Sequence, residues 1–274
     1  MNDMLLRRRQ LLAAAAAAGL TAQARAAFAA DDAVSRALIG KLEGPEVVLD
    51  PAMWPKAFQE APMLAARVAA GGLPKLAERI GADPLVIKPV HDIGRYGGMW
   101  RQGFTGPGDA WNAWRACTGP DSLLAWDWTG NRITPNLAKS WTLSDDGKVT
   151  TIQLRRGMRW SDGHPFTADD FVFWFEDIYS NGQLVPVKTI AFQSNDQHGR
   201  VEKVDDLTVR LSFPVANYLF PGLLAGTNGV TGPSMQGRFG YGLYAPAHYL
   251  KQFLPKYASE EKLAQMAKDQ GFPT

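Results

Sequence analysis

Five carboxylates stand close together in the sequence: Asp145, Asp146, Asp162, Asp169 and Asp170. Acids at such spacing could do general acid–base work. His91, His164, His198 and His248 and the single Cys117 complete the reactive set. Local context gives the acids other tasks. Asp146-Gly147 and Asp162-Gly163 are tight-turn dipeptides. Thr167 stands before an apolar periodic run, and Asp170 three residues on completes an acidic variant of the capping box. Asp169 and Asp170 also suit the positive end of a helix dipole. The histidines are scattered without metal-ligand spacing. No metal or cofactor is expected, and Gly-x-Ser-x-Gly and Walker-type loops are absent from the sequence. One cysteine rules out an internal disulfide.

Aromatic residues offer a second kind of chemistry. The chain has 9 Trp. Trp111 and Trp114 would share a helix side, and Trp126 and Trp128 a strand face. Such faces are platforms for sugar rings or peptide side chains. The plain reading is that they fill the core, and it is favoured for Trp126 and Trp128. The loop from Phe104 to Asp109, after an expected first strand, and Gly226-Thr227-Asn228 are candidates to line a cleft, because ligands in open α/β sheets sit beyond strand carboxyl ends. Gly240 to Tyr244 would place a tyrosine at the cleft or form a hinge. The candidate ligand-binding residues are Phe104, Thr105, Trp111, Trp114, Thr227, Asn228 and Tyr241.

The elements that must position these residues are readable in the pattern. Pro62 and Pro74 open short helices that stop at Gly71-Gly72 and Gly81, and Leu85 to Pro89 runs extended. Met99 to Arg101 is expected to be a first strand and Leu123 to Trp128 another. The stretch Ser144-Asp-Asp-Gly147 predicts a hairpin, after which Thr150, Ile152 and Leu154 share one face. A helix from Thr167 should bury Phe171, Phe175 and Ile178, with Val172 and Tyr179 widening the stripe, and end at Asn181-Gly182. Val201 to Phe213 reads as a hairpin turning at Asp205-Asp206, with Leu207, Val209, Leu211 and Phe213 inward. Three helices follow: one at Tyr218 to Leu224 interrupted by Pro221, one opened by Pro246, and one from Glu260 to Gln270 with Leu263 and Met266 inward.

The N-terminus has the plan of a bacterial export signal. Arg7, Arg8 and Arg9 precede a short apolar run from Leu11 to Leu20, followed by small-residue cleavage sites around Ala26. The run is shorter than the roughly twenty residues that span a bilayer. Arg-Arg-x-Leu-Leu is the order of the twin-arginine type. Removing residues 1–26 takes Lys+Arg from 29 to 25 and Asp+Glu from 27 to 26, so the net charge of +2 becomes −1. A nearly neutral chain gives no electrostatic case for nucleic acid. The expected organisation is a signal at 1–26, a helical and extended arm at 27–95 wrapped on a later core, a main domain at 96–257 and a terminal helix at 258–274.

Read in order, several phrases resemble the family 5 solute-binding proteins of ABC importers. They are Pro135-Asn-Leu-Ala-Lys-Ser-Trp141, Ser144-Asp-Asp-Gly147, Leu154-Arg-Arg-Gly-Met-Arg-Trp-Ser-Asp-Gly163 and Pro165-Phe-Thr-Ala-Asp-Asp-Phe171. Val204-Asp-Asp-Leu-Thr-Val-Arg210 and Ala245-Pro-Ala-His-Tyr-Leu250 follow. The resemblance runs from Tyr96 to Tyr257. Glu60-Ala-Pro-Met-Leu64 and Leu73-Pro74 resemble a subgroup of long, often oligosaccharide- or peptide-linked receptors.

The resemblance implies an α/β fold: a periplasmic-binding-protein-like (type II) lobe with a mixed sheet and flanking helices, and an incomplete second lobe. It implies a soluble periplasmic protein without catalysis, whose partners are a peptide or oligosaccharide solute and an inner-membrane ABC permease. Family members are longer than this chain, so a gene fragment, a frameshifted copy or half of a split receptor is expected. The acidic group that meets a peptide's amino end belongs to the family's later lobe, and no residue here is assigned to it. The alternatives are an exported carbohydrate-active enzyme or sugar-binding module, and a receptor fragment without function.

Overall fold

The computed structural model describes residues 43–99, 101, 103, 105–106, 122–226 and 242–272. The chain divides into two units, Met1–Gly44 and Pro45–Thr274. The expected export signal lies outside the described residues. Among the described residues, no helix is long and apolar enough to cross a membrane.

The second unit opens with β1 (Glu46–Val47), α1 (Pro62–Ala69), α2 (Leu76–Ile80) and β2 (Ile87–Lys88). Pro62 occupies the first turn of α1, where its missing N–H costs nothing. β1 pairs antiparallel with β2, so the extended run before Pro89 has a partner. The expected strand at 99–101 does not form at Met99 or Arg101.

The central sheet is built from β5 (Ala138–Leu143), β6 (Val149–Leu154), β9 (Arg200–Asp205) and β10 (Thr208–Ser212). Before it comes the small hairpin of β3 (Leu124–Trp126) and β4 (Ile133–Pro135), and between β6 and β9 in the chain a separate hairpin of the two-residue strands β7 (Gln193–Ser194) and β8 (Gln197–His198). The sheet order is β5-β6-β10-β9, and every described pairing in the chain is antiparallel. Thr150, Ile152 and Leu154 of β6 are buried, as are Val209 and Leu211 of β10. The edge strand β9 buries only Val201; beside exposed Val204 it carries Arg200, Glu202, Lys203 and Asp205, charges that discourage further strand pairing.

At the β5–β6 turn the Asp146 carboxylate accepts from Ser144 Oγ at 2.6 Å and from Lys148 N at 3.1 Å. Gly147 adopts φ of 68° under the ring of Tyr218, where a Cβ would come within 2.7 Å.

Helix α3 (Ala168–Phe173) packs on β9 and β10 and runs on as a wider π-turn, Trp174–Tyr179. Ser180 N reaches back to Phe175 O at 2.9 Å, the i→i+5 bond of such a turn. The extra residue rotates the buried face. Phe171, Phe173, Trp174, Asp177 and Tyr179 are buried, whereas Phe175 and Ile178 are only half-buried. Helical spacing placed Phe175 and Ile178 too deep and missed Trp174. Phe192, Phe213 and Phe220 continue this aromatic core, with Trp174–Phe192 centroids at 5.6 Å and Phe213–Phe220 at 4.7 Å.

Gly199 sits between two of these rings, and a Cβ there would approach Phe192 and Phe213 to 2.8 Å. Gly199→Ala should therefore destabilise the unit by about 1–3 kcal/mol through overpacking. The check is a lower urea midpoint at unchanged slope.

The remaining helices are α4 (Phe220–Leu224), α5 (Ala247–Leu250) and α6 (Glu260–Asp269). Pro221 lies in the first turn of α4, so it starts that helix rather than interrupting it. In α6, Leu263 and Met266 are half-buried as their spacing predicts.

Candidate functional site

The run from Trp160 to Asp170 shows how the suspected acids are used. Asp162 Oδ1 accepts His164 N at 3.0 Å, closing the Asp-Gly turn. Thr167 and Asp170 form the capping box at the start of α3. Asp170 then does more than cap. Its Oδ2 accepts Thr167 N at 3.1 Å and Trp160 Nε1 at 3.0 Å, and its Oδ1 accepts Ala247 N at 3.1 Å. Ala245 N donates to its backbone oxygen at 3.1 Å. One buried carboxylate thus ties the turn, the helix and the chain entering α5.

Around it, the rings of His164 and His248 stack 3.9 Å apart and within 3° of parallel. His248 Nε2 meets Asp162 Oδ2 at 2.6 Å, and the imidazole holds the Asp162 carboxyl below its usual range. Tyr244 is buried against Trp160, Phe166 and Phe171, so it fills the core instead of facing a cleft. Among the described residues, no group of three or more His, Cys, Asp or Glu is placed to hold a metal ion.

Of the candidate ligand-binding residues, Thr105 alone is among the described residues. Thr105 is exposed in a bend. Phe104, Trp111, Trp114, Thr227, Asn228 and Tyr241 lie outside the described residues. The expectation that cleft residues follow strand carboxyl ends needs a parallel sheet. The described sheet is antiparallel, and its strands end alternately on both sides.

Trp126 and Trp128 correct the sequence reading. Both are 45% exposed instead of filling the core. Trp126 ends β3, and Trp128 lies in the turn to β4. The six-membered ring of Trp126 lies over Gly222 of α4, where a Cβ would stand 3.4 Å from Cζ2. The indole therefore rests within ordinary packing distance of the helix at this position. Leu219, 80% exposed, is three residues before Gly222 and so on the same side of the helix. Leu124 and Trp126 share one face of β3, yet Leu124 is buried and Trp126 exposed. The exposure arises because the hairpin runs past the core.

Residues 132–261 match the model of the bacterial extracellular solute-binding proteins, family 5 middle. The chain is 32% identical over 214 residues to a periplasmic alpha-galactoside-binding protein of Rhizobium meliloti, covering 70% of this chain and 28% of that protein. Among solved structures, an oligopeptide-binding protein OppA superposes with a TM-score of 0.65 at 36% identity, covering 78% of this chain and 31% of OppA. The periplasmic binding protein MelB from Agrobacterium fabrum C58, solved in complex with stachyose, gives 0.54 at 26% identity, covering 81% of this chain and 34% of MelB. The chain spans about a third or less of the length of each of these relatives. Its ordered phrases, its antiparallel sheet with the capped helix α3, and these matches place it together with them: the chain belongs to the family 5 bacterial extracellular solute-binding proteins.

Proposed function

We propose that the protein is the solute-binding component of an ABC importer, acting outside the inner membrane on an oligosaccharide or a peptide. The match over 214 residues to an alpha-galactoside-binding protein carries this reading. The chemistry of the described residues supports it, because the carboxylates of Asp146, Asp162, Asp169 and Asp170 are engaged in a turn, a cap or an ion pair. Receptors of this kind grip a solute between lobes, and closure is favoured by contacts to both. The export signal at residues 1–26, the arm at 27–95, the main domain at 96–257 and the terminal helix at 258–274 are part of this proposal, as is delivery to a permease.

Uptake tests it. Cells lacking the gene are expected to lose uptake of labelled raffinose or of labelled trialanine, and to regain it with the gene restored. Unchanged uptake of both solutes, with the protein present outside the inner membrane of the parent, would overturn the proposal.

A further inference from the structure

We propose that Trp126 and Trp128, carried on the turn built around Asp127, form a stacking platform for a neutral oligosaccharide. The inference rests on the solute-receptor reading and assigns it a site and a ligand class. Trp126 ends β3 and Trp128 follows two positions on in the turn, each about half exposed. Trp126 is fixed from behind by Gly222, so one part of its ring is seated while the rest faces water. The turn between them and β4 is rigid. Asp127 Oδ1 accepts from Thr129 Oγ1 at 2.8 Å, Asn131 N at 3.1 Å and Arg132 N at 3.2 Å. Asp127 N donates to Arg132 O at 2.8 Å, and Gly130 N to Asp127 O at 2.9 Å. A platform held in this way loses little freedom on binding.

The ligand class follows from the groups that remain. The C–H faces of a pyranose pack on an indole face, and its hydroxyls take hydrogen bonds from side chains at the rim. Asn131 and Arg132 are exposed beside the platform and supply such donors. A peptide's amino end would need a free carboxylate. The carboxylate here, Asp127, engages Oδ1 in three bonds inside the turn, and its Oδ2 faces Arg132 Nε at 3.9 Å, so a cation of the chain already stands beside it.

The test titrates the purified full chain with stachyose, and separately with trialanine, following tryptophan fluorescence and saturation-transfer NMR. Trp126→Ala and Trp128→Ala are each expected to weaken stachyose binding at least tenfold, and Trp126→Phe less. Melting temperatures close to the parent's would show that the variants fold. Three outcomes overturn the platform. If stachyose binds and the alanine variants bind it equally, the site is wrong and the receptor reading stands. If only trialanine binds, the ligand class is wrong and the receptor reading stands. If the parent self-associates and Trp126→Ala makes it monomeric without affecting stachyose, the face joins two copies. Binding of neither solute would remove the platform and count against the receptor reading as well.

Discussion

Asp170→Ala should lower the melting temperature by about 10 °C. The carboxylate is buried and accepts three hydrogen bonds from groups on three different segments, Trp160, Thr167 and Ala247. Removing it leaves those donors without their acceptor. Each orphaned buried donor costs about 1–3 kcal/mol, and partial rescue by water brings the sum to about 3–5 kcal/mol. For a unit of this size that corresponds to a shift of about 10 °C. Asp170→Asn should do less harm, because one oxygen remains for Trp160 and Thr167. Its amide would then face the N–H of Ala247. A double-mutant cycle with Trp160→Phe isolates the reason. If the carboxylate works by holding the indole, the two substitutions together cost less than their sum. Strict additivity would mean that Asp170 acts as a helix cap alone.

Asp83→Asn should release the N-terminal arm from the sheet domain. Asp83 is buried, and its carboxylate faces two cationic side chains. Arg156 grips it with Nε at 2.8 Å and Nη2 at 3.0 Å, and Lys139 Nζ stands at 3.1 Å. Arg155, also buried, donates from Nη1 to Pro84 O at 3.1 Å and from Nε to Asn136 O at 2.7 Å, so it braces the same junction. Backbone bonds complete the seam, with Ala82 N donating to Arg156 O at 3.1 Å. Gly81 and Gly157 meet back to back there, and a Cβ on Gly157 would come within 2.8 Å of Gly81 Cα. Both have positive φ, so alanine at either is strained as well as crowded. Losing the charge-assisted bonds of Asp83 should cost about 2–3 kcal/mol, with earlier proteolytic cleavage between residues 45 and 90 as the local readout.

The Arg156 hydrogen bonds hold the Asp83 carboxyl far below the usual carboxylate range, with Lys139 adding to the effect against the opposing cost of burial. A depressed folded-state value stabilises the fold above the unfolded value of about 3.9, and that contribution is lost as pH falls through the lower folded one. Arm docking should therefore be insensitive to pH from about 8 to 5 and weaken below about 4. The Asp83→Asn protein should lack this part of the acid response.

Local chemistry was legible in the sequence. The Ser144 to Gly147 hairpin, the alternation in β6 and β10, the Thr167–Asp170 box and the inward Leu263 and Met266 each depend on residues a few positions apart. Two features were illegible because their partners are remote. Asp170 finds Ala247 across 77 residues, and Asp83 finds Arg156 across 73. The π-turn escaped because a 3.6-residue period assumes that every turn has the same width. Trp126 and Trp128 were misread because hydrophobicity identifies a buried face only where the strand stays over the core. Most of the candidate site was chosen from loop composition, and of those residues the described structure contains Thr105 alone.

Equilibrium dialysis of the purified chain against radiolabelled stachyose and labelled trialanine, followed by chromatography of the recovered label, bears most directly on the receptor reading. Saturable retention of one of them, recovered chemically intact, is the predicted result. Recovery of shorter sugars or amino acids, or retention of neither solute at any concentration, would contradict it.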